Sequence, residues 1–245
     1  MKEESVGTVV KYEGEHGITI KALRRYADDL VEMGVSRDQV GHVIEETAKH
    51  GTPASSLVQG LGMFLESAEN PKKEITLTVN VNGELKTIKI VIKNGNERGG
   101  LIHWWLRHVV GYEMEKKPVT DFWPMGQRIV VEGEAKQLPN VIKSPDELAE
   151  ILEKSIQEIA KNPEEYFINQ RTGNLRRAFN DIVKTSDLKG VPIEGIDSIK
   201  VAFSFKEETI DNKVIYTYSL ESFYPVEGSS VWEYRSALKE WVVKG

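Results

Sequence analysis

Two stretches of this chain combine arginines with aromatic residues and contain no acidic residue. The first runs from Arg98 to Tyr112 and the second from Tyr166 to Asn180; we call them the first and second arginine segments. Guanidinium groups hold phosphates and aromatic rings stack on bases, so such segments are typical of proteins that bind single-stranded nucleic acid. The candidate nucleic-acid-binding residues are Arg98, Trp104, Arg107, Tyr166, Arg171, Arg176 and Arg177.

The second arginine segment has a further feature that favours an anionic ligand. The apolar spacing from Leu175 to Val183 predicts a helix that begins just after Gly173. A helix start offers free backbone amides, so an anion is expected to bind there beside Arg176 and Arg177. Without a neighbouring acid in the segment, these arginines have no evident packing role.

A different chemistry is indicated by Asp121, Glu134 and Lys136, the last two of which follow the apolar run Ile129 to Val131. Carboxylates can hold Mg²⁺, and a positive charge near the scissile phosphate assists its hydrolysis. The stretch 121–136 resembles the PD-(D/E)xK nuclease motif. That resemblance implies a Mg²⁺-dependent nuclease in which Asp121 and Glu134 bind the metal and Lys136 positions or activates the attacking water.

His42, Glu46 and His50 follow one another at steps of four residues, so they share one face of a helix. Imidazole and carboxylate groups can chelate a divalent ion when their lone pairs converge. Nothing in the neighbouring sequence completes a coordination shell. These residues are therefore expected to form a solvated stripe with a local His–Glu pair, and no metal site is predicted.

Composition narrows the classes of function. The chain has 245 residues, 40% of them hydrophobic and 29% charged, with a formal charge of −6, which argues against a coat of basic residues for nonspecific nucleic-acid binding. The lack of cysteine excludes disulfides and thiolate chemistry.

The first residues lack the apolar core of a signal peptide, and no apolar run approaches the ~20 residues that span a bilayer, so a cytoplasmic location without membrane contact is expected. Abundant Glu, Lys, Ile and Val suit a thermophile.

Three helices are predicted between residues 18 and 68. The first ends at Gly34, the second begins at Ser36 with Gln39 in capping-box spacing, and the third begins at Thr52-Pro53. A polar linker, 69–74, is expected to follow them. Residues 1–70 are therefore predicted to form one module.

The first two of these helices invite three interpretations. The pattern of Leu30, Met33-Gly34, Val40 and Val43 resembles the helix-turn-helix family. The same turn, followed by a third helix with Leu57, also resembles a ubiquitin-associated-type module, which implies protein binding. The remaining interpretation is an ordinary packing bundle, because such geometry occurs in helical domains of every function.

Two alternating hairpins predict an antiparallel sheet with one covered face. In the first, Ile75 to Val81 pairs with Ile88 to Ile92 across Asn82-Gly83; in the second, Ile199 to Phe205 faces Val214 to Leu220. Helical spacing predicts further helices around them. Their ranges are 101–112, 144–161, 175–183 and 230–241, and a short strand is predicted over 128–134.

The predicted fold is α+β, with a three-helix module over 1–70 and an α+β domain over 71–245. In that domain an antiparallel sheet built from two hairpins carries helices on one face. The leading functional hypothesis is a non-enzymatic binding protein for nucleic acid, single-stranded favoured, or for a nucleoprotein partner. The alternatives are the Mg²⁺-dependent nuclease and a helix-mediated protein-interaction module. No cofactor is predicted beyond Mg²⁺ for the nuclease.

Overall fold

The structure is a computed structural model that describes residues 20–69, 74–114, 119, 121–191 and 193–245. The helices of these residues are α1 (Ile20–Met33), α2 (Val40–Lys49), α3 (Ala54–Ser67), α4 (Gly100–His108), α5 (Pro145–Lys161) and α6 (Pro163–Phe167). The strands are β1 (Glu74–Val81), β2 (Glu84–Val91), β3 (Arg128–Val131), β4 (Glu134–Gln137), β5 (Phe179–Lys184), β6 (Ser198–Ile210), β7 (Lys213–Glu227), β8 (Trp232–Arg235) and β9 (Glu240–Val243). The α+β class is confirmed. Most of the predicted linker 69–74 lies outside the described residues.

The three N-terminal helices form as predicted, with changes at the start of two of them. Helix α3 begins at Ala54 with Pro53 in the cap position, so the predicted cap at Thr52 is wrong. Helix α2 begins at Val40, after Gln39 in the cap position with no side-chain cap. The capping box at Ser36 is therefore wrong, and the backbone N–H of Ser36 instead donates to the Glu97 carboxylate at 2.9 Å. Gly34 turns the chain between α1 and α2 at φ +125°, where a side chain would meet Gly95 O at 2.9 Å.

The main sheet has five strands in the order β1-β2-β7-β6-β5. Both predicted hairpins are confirmed, and Asn82-Gly83 turns the first with positive φ at both residues, as a type I′ turn requires. Strands β2 and β7 pair in parallel, so the sheet is mixed rather than wholly antiparallel. Strand β7 bulges where Glu221 and Ser222 together face Ala202.

Strand alternation divides this sheet into two faces. The covered face carries apolar side chains that pack beneath the helices and belong to one large core, including Val79, Ile88, Ile90, Val201, Phe203 and Tyr218. Helix α5 lies in that core, and its predicted start is confirmed: Glu147 N donates to Ser144 Oγ at 3.2 Å, with Pro145 at the first helical position. We call the opposite face, built from the alternate residues, the open face.

Two predicted helices are wrong. The segment 175–183 contributes strand β5, in which Phe179, Asp181 and Val183 point to the covered face. The segment 230–241 forms the hairpin β8-β9. In both, apolar residues satisfied helical and alternating spacing at once, and pairing with a neighbouring strand decided the outcome.

A second, smaller core lies under the two short hairpins β3-β4 and β8-β9. Its buried members are Val119, Phe122, Ile129, Val131, Leu138 and Tyr234. The large core joins residues on both sides of residue 70, from Leu23 to Val231. The division into 1–70 and 71–245 stays a prediction. No described helix is both long and apolar enough to cross a membrane.

Candidate functional site

The segment from the glycine-rich loop, residues 94–100, through α4 differs from the rest of the described chain in its unpaired polar groups. Four buried side-chain atoms lack a hydrogen-bond partner there: Asn94 Oδ1, Glu97 Oε1, Trp104 Nε1 and Trp105 Nε1. Buried polar groups nearly always have a hydrogen-bond partner. Four unpaired atoms within twelve residues therefore call for an explanation other than packing of the core. The first arginine segment begins within this region.

Helix α4 is buried on nearly all sides. Trp104 and Trp105 stack on Phe64 at centroid distances of 4.8 and 5.0 Å, and Trp104 also contacts Phe223 at 5.4 Å. Only 2% of Trp104 is exposed. Its ring is therefore closed to base stacking, contrary to the prediction, and its role is to anchor α4 in the large core.

The open face carries a line of three residues that we call the cross-strand row. Ile182 on β5 pairs with Lys200 on β6, and Lys200 pairs with Tyr224 on β7. Neighbouring strands lie ~4.8 Å apart, so the row spans ~10 Å. His108 at the end of α4 extends it, because its ring stacks on Tyr224 at 4.5 Å. The row thus leads from the edge of the sheet to the first arginine segment.

Cations around the cross-strand row lack acidic partners. Lys184, Lys200 and Arg107 form no ion pair within the described part of the chain, whereas the open-face lysines Lys89 and Lys206 pair with Glu74 and Glu208. The Lys200 ammonium lies 5.8 Å from the Tyr224 ring. These three cations are therefore not neutralised by ion pairs with described residues, although the net charge of the chain is −6.

Two carboxylates border the row, and serine hydroxyls bind both. Ser204 Oγ donates to Glu221 at 2.5 Å, and Ser198 Oγ donates to Glu227 at 2.9 Å. Between them lie the small side chains of Ala202 and Ser222. The side chains that lie between the two carboxylates on the open face are therefore small.

Both histidines of α4 are held neutral. His108 Nδ1 donates to Asp121 O at 2.7 Å, and burial lowers the pKa of this imidazole to about 4. His103 Nδ1 donates to Glu97 O at 2.8 Å, and burial lowers its pKa as well. Each ring therefore keeps an unprotonated Nε2 at neutral pH, which makes it a hydrogen-bond acceptor and not a cation.

Arg98 lies in the glycine-rich loop with a side chain that is 68% exposed. Its Nε is 3.5 Å from Glu97 Oε1, so it forms a loose ion pair with a buried carboxylate. Arg107 lies half-buried on α4, one turn after His103. Of the predicted residues in the first arginine segment, Arg98 and Arg107 are thus accessible and Trp104 is not.

The second arginine segment packs against the covered face of the sheet through Phe167 and Phe179. Arg176 is engaged there: it donates to Tyr166 O, pairs with Asp181 and lies over the Phe179 ring at 4.7 Å. The expectation that these arginines lack an acidic partner is therefore wrong for Arg176. Without the predicted helix, the anion site at its start does not form either.

The other predicted residues of this segment divide into buried and exposed. Tyr166 is only 6% exposed, so its ring is not available to a ligand. Arg171 and Arg177 are exposed and have no ion pair among the described residues. None of the described hydrogen bonds, ion pairs or ring contacts joins the two arginine segments. They form two separate surfaces.

The three residues that resemble a nuclease motif have other partners. Asp121 pairs with Lys244 at 2.6 Å, and the Lys136 ammonium lies 3.3 Å from the centre of the Trp232 ring. Glu134 opens β4 at the surface, where its backbone O accepts from Trp241. Within the described ranges, no three His, Asp or Glu side chains group as metal ligands do.

The His42–Glu46–His50 stripe is partly solvated, as expected. His42 Nδ1 lies 4.0 Å from Glu46, which also pairs with Lys49. His50 is different because it is buried and its Nδ1 accepts from Val130 N at 3.0 Å. It ties α2 to strand β3, and burial lowers its pKa.

Sequence reasoning missed Lys184, Lys200 and Tyr224, which only the strand register brings together. The available signal was the alternation of β6, since Lys200 occupies an outward position between Ile199 and Val201. Comparison of the chain with family models, with curated proteins and with solved structures found no match.

Proposed function

We propose that this protein is a non-enzymatic binding protein that holds single-stranded nucleic acid across the open face, along the cross-strand row. The observation that carries the proposal is that three cations, Lys184, Lys200 and Arg107, form no ion pair in the described chain. Of the groups beside them, the Lys200 ammonium and the His108 ring, which follows Arg107, lie against Tyr224. Cations of this kind are free to neutralise phosphates, and an aromatic residue among them offers contact with bases.

A single strand suits this surface better than a duplex does. A sheet face with small residues between an aromatic and cations resembles the platforms on which splayed bases lie in single-stranded complexes. Duplex reading needs an element that enters a groove. The exposed Asp38 precedes α2, and the half-buried Glu45 and Glu46 lie within it, so these acids would repel phosphate.

The proposed location is the cytoplasm, because a chain without cysteine forms no disulfides and does not depend on an oxidising compartment. Its partner is nucleic acid or a nucleoprotein. We also propose a thermophilic origin, which rests only on the high content of charged residues.

The test is binding of a fluorescent single strand of ~10 nucleotides, within the usual range of site sizes, measured by anisotropy at two salt concentrations. The variant Lys184→Gln, Lys200→Gln, Arg107→Gln keeps polarity and removes three charges. We expect weaker binding and a log–log salt slope that is shallower by ~2, because each phosphate that is no longer neutralised reduces the slope by ~0.7. The matched control Arg171→Gln, Arg177→Gln removes unpaired arginines from the other surface and is expected to leave binding unchanged.

The same measurement separates the alternatives. Loss of binding in the Arg171, Arg177 variant alone would move the site to the second arginine segment. Lack of wild-type binding at low salt would contradict the proposal and leave the helical module as a protein-interaction surface. Cleavage of the strand in Mg²⁺, abolished by Glu134→Ala, would establish the nuclease alternative instead.

A further inference from the structure

The turn Asn94–Glu97, between β2 and α4, buries two oxygen atoms that no donor satisfies. Glu97 is 1% exposed. Its Oε2 accepts from Ser36 N at 2.9 Å, while its Oε1 and Asn94 Oδ1 have no hydrogen-bond partner. Both unpaired atoms are acceptors. A buried carboxylate oxygen without a donor is costly, so this turn calls for a positively charged or proton-donating ligand.

The charges around the turn do not meet that need. The nearest cation is Arg98, whose Nε lies 3.5 Å from Glu97 Oε1, beyond hydrogen-bond length, and whose side chain points mostly into solvent. On another side lies Tyr112, which is 2% exposed. Burial raises the pKa of Tyr112, and the carboxylates of Glu97 and Glu46 raise it further. The Lys49 ammonium pairs with Glu46 and not with Glu97.

The turn is tight and its shape is fixed. Gly95 has φ +67°, and a side chain there would meet Gly99 O at 1.9 Å. Asn96 and Gly99 close the loop by exchanging backbone hydrogen bonds. Asn94 and Glu97 are three residues apart, so their Cα atoms lie within ~11 Å of each other whatever the conformation. Both unpaired oxygens are therefore held in one small, rigid element.

We propose that the Asn94–Glu97 turn binds a hard divalent cation of the Mg²⁺ or Ca²⁺ class through oxygen ligands. Only a small ligand can reach a side chain that is 1% exposed, and carboxylate and amide oxygens are the ligands such ions prefer. Other His, Asp or Glu side chains do not complete a set of three in the described residues. One carboxylate gives weak binding, with a dissociation constant of ~1 mM, near the weak end of protein calcium sites.

The site acts at the junction of the helical module and the sheet. Glu97 holds Ser36, which lies between α1 and α2, and the same turn leads directly into α4. A bound cation would therefore fix the turn from which Arg98 and α4 project. The inference does not rest on nucleic-acid binding, and its test contains no nucleic acid.

The test is the melting temperature of the full chain in ~10 mM CaCl₂ or MgCl₂ against NaCl of equal ionic strength. For a dissociation constant of ~1 mM, ligand linkage predicts a rise of ~3–5 °C for a domain of this size. Glu97→Gln keeps an acceptor for Ser36 N and removes the charge, so the rise should disappear. Glu207→Gln, an exposed carboxylate on β6, should keep it.

A second measurement uses only the wild-type protein. Terbium ions take the place of calcium at oxygen sites, and Trp104 and Trp105 belong to α4, the helix that follows this turn. We expect tryptophan-excited terbium emission that excess Ca²⁺ displaces. Equal melting temperatures in all three salts, or a rise that persists in Glu97→Gln, would overturn the proposal and assign the unpaired oxygens to bound water.

Discussion

Neighbouring residues of one strand lie on opposite faces of the five-stranded sheet and have different surroundings. On the covered face, Val201 is fully buried and lies in the large core. On the open face its neighbour Lys200 is half-buried, has no ion pair in the described chain and lies beside Tyr224. Because strand alternation separates them, residues on the open face can be substituted without changing the core that keeps the sheet folded.

The largest expected effect is on the covered face. Val201→Asp would bury a carboxylate directly opposite Asp181, so we expect a loss of about 4 kcal/mol or more in unfolding free energy. Lys200→Asp places the same side chain one residue away on the open face, and we expect a loss below about 1 kcal/mol. Urea denaturation of both variants measures the difference. Equal losses would show that the register of β6 is wrong.

A smaller effect is expected where the open face meets α4. The pKa of His108 is about 4 in the folded chain against an ordinary 6.5, so its contribution to stability is complete above pH 6.5 and is lost as the pH falls towards 4. Between pH 7 and pH 5 the loss should be about 2 kcal/mol. In His108→Gln this part of the pH dependence should disappear, which denaturation at several pH values would reveal. If the free energy of unfolding changed with pH in the same way in both proteins, the assignment of this pH dependence to His108 would be wrong.

The smallest expected effect compares adjacent arginines. Arg176→Gln removes the contacts with Asp181, Tyr166 O and the Phe179 ring, so we expect a loss of about 1 kcal/mol in unfolding free energy. Arg177→Gln changes an exposed residue and should alter stability by less than about 0.5 kcal/mol. Thermal denaturation of the pair provides the comparison. Equal behaviour would mean that Arg176 does not anchor β5.

Local signals in the sequence were enough for elements with a distinctive period or cap. The hairpin at Asn82-Gly83 follows from turn chemistry, since both residues need positive φ. The start of α5 follows from Ser144, Pro145 and Glu147. In each case the determining interaction is between residues only a few positions apart.

Elements decided by distant partners were not predictable in this way. Val231, Tyr234, Leu238 and Trp241 match helical spacing, yet the chain turns at Lys239 with φ +53° and pairs Tyr234 with Trp241. Strand β5 depends likewise on its pairing with β6. The parallel contact between β2 and β7 leaves no local trace, because each strand alternates in the same way whichever neighbour it has.

The candidate site was predictable only in part. Composition identified Arg98 and Arg107, because the lack of acids is visible in one segment of sequence. Ile182, Lys200 and Tyr224 come from three strands, and only the register places them in one row. Composition could not separate Arg176, which has Asp181 as a partner, from Arg177, since that partner joins it only when β5 forms.

The parallel pairing of β2 with β7 also bears on how the chain reaches its native state. It joins Thr87 to Ile215, so the middle of the sheet closes only after most of the chain has been synthesised. The hairpins β1-β2 and β6-β7 are local and can form early, but their union must close a very long loop. Folding of this protein should therefore be slow for its size, with docking of the two hairpins as its late step.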